Sequence, residues 1–105
     1  MTDKRVVLIT CGSLEEARKI AHALVERKLA ACVNIIPGIE SIYRWKAAVE
    51  TASEYLLIVK TTADAFASLR GALAELHSYE VPECIEIAIT NGSADYLKWF
   101  EESMI

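Results

Sequence analysis

Seven consecutive residues, His77 to Glu83 (HSYEVPE), set an imidazole, a phenol and two carboxylates around a proline. Imidazole with carboxylate suits copper(II) or zinc, copper(I) favours thiolate and imidazole, and hard ions such as magnesium favour oxygen alone. Pro82 fixes its own φ and holds Val81 extended, so these donors ride on a stiff lead-in to the next strand. His77 and Glu83 are the metal candidates. Two ligands make an incomplete site, which Glu80, a symmetry mate or solvent must complete. The same residues also fit a structural role, with His77 at the negative end of a helix dipole and a polar turn behind it.

Other reactive groups are weaker candidates. His22 sits mid-helix between Ala21 and Ala23 with no carboxylate at ligand spacing, and reads as surface or packing. Cys11, Cys32 and Cys84 are odd in number, far apart and without CxxC spacing, which excludes a disulfide framework and a structural zinc finger. Cys32 reads as a small core hydrophobe. Cys84 with His77 makes a poor nucleophile–base pair, because Cys84 opens an apolar strand and neither an orienting Asn or Asp nor an oxyanion-hole motif is recognisable. The four glycines are scattered, so no phosphate loop exists and an enzyme is not expected.

A second set is aromatic. Tyr43, Trp45, Tyr79, Tyr96 and Trp99, with Glu50 and Lys60, are suited to line a cleft between subunits where a small anionic ligand docks. Interface packing explains the same aromatics, since Tyr and Trp bury large area and keep one polar handle.

The elements that position these groups alternate in a regular order. Arg5–Cys11 is a continuous β-branched and apolar run, a central strand. Ser13 and Glu16 form a capping box, after which Leu14, Ala17, Ile20, Ala21, Leu24 and Val25 recur at helical spacing to about Lys28. From Ala30 to Trp45 the chain is extended and interrupted at Pro37-Gly38, which predicts one long edge strand broken by a bulge or a sharp bend. Lys46 to Ser53 is polar and small and reads as a loop; EYLLIVKT is the next buried strand, in a hairpin with its predecessor whose tip projects from the domain. Phe66, Leu69, Leu73 and Leu76 mark a second helix. Ile85, Ile87 and Ile89 alternate along a last strand before Asn91-Gly92, and Ser93 caps a final helix bearing Tyr96, Trp99 and Phe100.

This order is α+β: a ferredoxin-like βαββαβ sandwich with an extra C-terminal helix, one domain over residues 1–105. Right-handed crossovers put both main helices on one face of the sheet and leave the other bare, a face that further copies of the chain would cover. The 53% hydrophobic content, above the usual ~45–50%, points to the same buried interface. A net charge of -4 without a basic cluster excludes a nucleic-acid footprint. MTDKRVVLITC lacks the length and cleavage site of a signal peptide and reads as the first strand of a mature protein. No run of about 18 apolar residues is present, and the unpaired cysteines suit a reducing cytoplasm.

Several separated segments together resemble one family. LAACVNIIPGIESIYRW (Leu29 to Trp45), EYLLIVKT, HSYEVPE and DYLKW (Asp95 to Trp99) are similar in order and spacing to the CutA family of divalent-cation tolerance proteins. The resemblance runs from about Thr10 to Trp99. It implies a ferredoxin-like subunit in a tight homotrimer held by strand pairing, architecturally akin to the PII signalling proteins. It also implies binding of copper or another divalent cation, with a role in metal tolerance. The family's HPYEVPE pattern maps onto His77, Tyr79, Glu80, Val81, Pro82 and Glu83, with Ser78 in place of the first proline. A cysteine near the end of the first strand is a proposed copper ligand in some members; the nearest thiol here, Cys11, is displaced by about two positions.

Overall fold

The structure, a computed structural model, describes residues 2–105. Seven elements follow one another: β1 (Lys4–Cys11), α1 (Leu14–Glu26), β2 (Cys32–Trp45), β3 (Ala48–Thr62), α2 (Phe66–Leu76), β4 (Ile85–Ala88) and α3 (Ala94–Ser103). The strands form one antiparallel sheet in the order β2-β3-β1-β4, which is the arrangement two interleaved crossover units require. β2 is therefore an edge strand, as Pro37 demands.

Strand alternation divides β1 between two environments. Val7, Ile9 and Cys11 are fully buried beside Leu57 and Val59 of β3, under Ala17, Ile20 and Leu24 of α1 and Leu69 and Leu73 of α2. Each large apolar side chain buried in this way contributes roughly 1.5–3 kcal/mol, so this layer dominates stability. Val6 and Leu8 point the other way, opposite Ile87 and Ile85 of β4. Ile85 is 52% and Ile87 48% exposed, so the outer face stays largely uncovered. β1 is consequently an apolar run on both faces although the single chain covers only one.

α3 covers one end of that outer face. Lys4, three residues from Val7 and so on the opposite side of β1, is buried there, pairs with Asp3 at 2.8 Å and with Glu101, and lies 5.7 Å from the ring centroid of Phe100. The hydrogen bonds that Lys4 donates to these carboxylates raise its pKa above the ordinary value, so the amine stays charged in its buried position.

Three local expectations differ from the structure. The stretch from Lys46 to Ser53 is not a loop: β3 begins at Ala48, and only Lys46 and Ala47 turn the chain. Both have positive φ, 49° and 68°, the geometry that lets a two-residue turn match the twist of its strands. The capping box is half formed: the Ser13 hydroxyl accepts the Glu16 N–H at 3.1 Å, but the Glu16 carboxylate is engaged elsewhere. Ser93 occupies the N-cap position of α3 without a side-chain hydrogen bond. The interruption at Pro37-Gly38 is a bulge, with a register shift between Ile36 and Ile39 and Gly38 at φ 74°. Beyond it the β2–β3 hairpin runs out as an exposed arm, and the longest dimension of the chain reaches 45 Å.

Candidate metal centre

Where β1 ends, α1 begins and α2 ends, three donors converge. Cys11 Sγ, a Glu16 carboxylate oxygen and a ring nitrogen of His77 all lie within 4.8 Å of one another, the one such group among the described residues. Each is placed by its element. Cys11 is the last residue of β1 and follows Val7 and Ile9 into the core by alternation. Glu16 is in the first turn of α1, where a carboxylate is stabilised by the positive end of the helix dipole. His77 is the C-cap residue of α2, its backbone N–H bonded to the Leu73 carbonyl at 2.9 Å, with an extended backbone that turns its ring back towards β1.

The hydrogen bonds of His77 define its tautomer. Nδ1 accepts the backbone N–H of Tyr79 at 3.1 Å, so Nε2 carries the proton and donates to the Thr10 carbonyl at 2.7 Å. The ring is fully buried and neutral in this arrangement. Glu16 Oε1 stands 3.8 Å from Nδ1, while Oε2 accepts the Ser78 N–H at 2.9 Å. Burial, reinforced by Glu16 and Glu54, pushes the Cys11 thiol up to about 12, so Cys11 holds its proton until something cationic displaces it. Thiol, imidazole and carboxylate are the donor set of zinc and copper rather than of magnesium or calcium.

Glu83 and Glu80 lie apart from this group. With Glu50 and Glu54 they line a cavity of about 710 Å³ between the hairpin arm and the residues leading into β4. Glu54 is only 6% exposed and accepts the Tyr79 hydroxyl at 2.6 Å. Burial first, then the Glu54 bond and charge, raise the Tyr79 phenol well above its usual value; burial and then Glu54 likewise raise Glu83. Tyr79 is thus the wall between the two places: its ring lies 4.6 Å from the His77 ring, and its hydroxyl passes 3.0 Å from where a Cβ on Gly12 would stand. Any larger residue at Gly12 displaces it.

The aromatic set is divided. Tyr43, Trp45, Glu50 and Tyr79 share the cavity. Tyr96 and Trp99 stack on one another along α3 at 5.4 Å, with Tyr96 edge-on to Phe100, and do not line it. Lys60 is directed to Asn34 Oδ1 on the outer face, opposite Cys32. His22 is exposed on α1, and all three cysteines are free.

Glu16 and Glu54 are the residues that sequence reasoning missed. Glu16 looked fully explained as the second half of a capping box. Its actual partner, Ser78, is 62 residues away and carries no motif that would reveal it. Glu54 had a fainter signal, a lone carboxylate directly before the buried run of β3.

Comparison with known proteins gives a consistent result. The profile of the CutA1 divalent ion tolerance protein family matches residues 5–103. The divalent-cation tolerance protein CutA of Thermus thermophilus is 52% identical over 95% of this chain and 97% of its own length. Its solved structure superposes with a TM-score of 0.93, covering 95% of this chain and 97% of that one. The structure of the periplasmic divalent cation tolerance protein CutA from Archaeoglobus fulgidus, 42% identical, superposes with a TM-score of 0.94 over 97% of this chain and 99% of that one. The chloroplastic CutA of Arabidopsis thaliana is 46% identical over 93% of this chain, which spans about half (54%) of that relative. A match over nearly all of the sheet and helices, in sequence as in structure, places this chain in the CutA1 divalent ion tolerance family.

Proposed function

We propose that this protein binds a divalent cation, copper(II) or zinc, through Cys11, Glu16 and His77, and that it acts in cation tolerance by holding the ion rather than by catalysis. The observation that carries this reading is the convergence of a thiol, a carboxylate and an imidazole within 4.8 Å. In a tetrahedral site with metal–ligand bonds of roughly 2.0–2.3 Å, donors stand about 3.3–3.8 Å apart, so the group needs a closure of about 1 Å. Calorimetric titration of reduced protein with zinc and copper(II) tests it. One ion per chain is expected, with at least tenfold weaker binding in Cys11→Ser, Glu16→Gln and His77→Ala. Equal affinity in all three variants overturns the assignment.

The family's cation chemistry supports the same reading, and the bare face of the sheet supports a homotrimer. Ile85, Ile87, Val6 and Leu8 form an apolar surface between two strand edges, which a neighbouring copy would bury. Light scattering at micromolar concentration tests this; a monomeric mass refutes it. Three free thiols suit a reducing, cytoplasmic setting. No helix is long and apolar enough to cross a membrane among the described residues.

A second reading, a small-molecule sensor, is favoured by the cavity of about 710 Å³. Its wall carries four glutamates and no lysine or arginine, so charge favours a cationic ligand over an anionic one. A thermal-shift screen with polyamines against dicarboxylates separates the two; stabilisation by the dicarboxylates alone would reverse this assignment.

A further inference from the structure

We propose that occupation of the Cys11–Glu16–His77 group releases the Ser78–Tyr79 segment and so remodels the acidic cavity on the other side of Tyr79. This rests on the cation reading above and adds to it a coupling between the inner donors and the outer cavity.

The argument starts from where the donor atoms are now spent. Nδ1 of His77 holds the N–H of Tyr79, and Oε2 of Glu16 holds the N–H of Ser78, so two consecutive backbone amides are fastened by two of the three donors. Nε2 is committed to the Thr10 carbonyl inside the sheet, which leaves the Nδ1 lone pair as the only one the ring can offer. An ion bound by this imidazole therefore takes the acceptor of the Tyr79 amide. An ion that draws in both oxygens of Glu16 takes that of Ser78 as well. The segment so released is the one that carries the Tyr79 phenol, whose bond to Glu54 at 2.6 Å closes the cavity wall over a buried carboxylate.

Coupling of this kind is reciprocal: loosening the segment favours the ion, and holding Tyr79 against Glu54 disfavours it. Ser78 has a particular part in it. The family pattern has proline at this position, which has no N–H, so the bond from Ser78 to Glu16 is one that such relatives cannot make. In this chain it is an added restraint on the donor set. Proline is also compatible here, because His77 already has the extended backbone (φ −89°, ψ 139°) that precedes proline.

The test uses the full-length reduced protein and zinc alone as the probe. Hydrogen exchange of the Ser78 and Tyr79 amides is measured with and without zinc, and zinc affinity is measured by chelator competition for Ser78→Pro and Tyr79→Phe. Exchange at both amides is expected to rise at least tenfold while that of β1 and β3 stays constant. Zinc should bind about three- to tenfold tighter to Ser78→Pro, and about two- to tenfold tighter to Tyr79→Phe, the change one released hydrogen bond supplies. If zinc binds and binding is lost in Cys11→Ser, then unchanged protection at the two amides, or unchanged affinity in both variants, overturns the coupling and leaves the site standing. If zinc does not bind, or Cys11→Ser binds it as well as the parent, the site fails and the coupling with it. Tyr79→Phe keeps the test decisive should Ser78→Pro fold poorly.

Discussion

Glu16 Oε2 accepts the backbone N–H of Ser78 at 2.9 Å and so ties the first turn of α1 to the end of α2. The other oxygen of the same carboxylate, Oε1, stands 3.8 Å from Nδ1 of the C-cap residue His77. Glu16→Ala leaves the Ser78 amide to water and removes a charge from the favourable end of α1. A loss of about 1 kcal/mol is expected, seen as a lower denaturation midpoint with an unchanged denaturant slope. No shift in midpoint would mean that the bond contributes nothing net.

Cys11 should be chemically silent in the native state. Its thiol is fully buried and its pKa is pushed up to about 12 by burial and by the charges of Glu16 and Glu54. Mass spectrometry after iodoacetamide treatment at pH 8 should show Cys11 unmodified in native protein and modified once the chain is unfolded. Rapid labelling of the native form would contradict the burial described.

Glu83 gives a pH dependence whose sign follows from its raised pKa. Burial and the neighbouring Glu54 make its charged form unfavourable in the folded state, so the native chain holds this proton more tightly than the unfolded chain does. Stability from this group is fully present below the unfolded pKa and is lost as pH rises through the folded one. Glu83→Gln is therefore expected to raise the melting temperature at pH 7 and to leave it unchanged in acid below the carboxylate range. A melting temperature at pH 7 lower than that of the parent would reverse the assignment.

Ala47 adopts φ 68° in the two-residue turn, a conformation that costs a residue with a Cβ roughly 1 kcal/mol and costs glycine little. Ala47→Gly should stabilise the hairpin arm by up to about 1 kcal/mol, partly offset by the greater freedom of the unfolded chain. Differential scanning calorimetry at neutral pH measures it, and a lower melting temperature would show that the entropy loss exceeds the relief of strain.

Much of the fold was legible because each element announces itself locally. The continuous β-branched and apolar run up to Cys11, the helical spacing from Leu14 to Val25, and the proline that only an edge strand tolerates are all short-range signals. The errors arose where a local signal was weak or misleading. Lys46 to Ser53 contains few strand formers, yet it pairs residue by residue, Tyr43 with Glu50 and Ile42 with Thr51, because the hairpin partner supplies the ladder. Ser93 has the residue type of a cap without making the bond.

The candidate site was legible by residue type but not by grouping. His77 and Cys11 stand out because imidazoles and thiols are scarce in this chain, and Glu83 stands out because it shares a segment with His77. The fold separates Glu83 from the donor group and substitutes Glu16, whose carboxylate is drawn across by the Ser78 amide. Sequence alone determined the order of elements, the edge position of β2 and the chemical character of the donors, since these depend on periodicity, on proline geometry and on side-chain identity. Only the tertiary structure decided which carboxylate meets His77, that Tyr79 stands between donor group and cavity, and that the donors are already occupied by backbone amides. Those relationships are set by distances between residues far apart in the chain, and no short-range pattern encodes them.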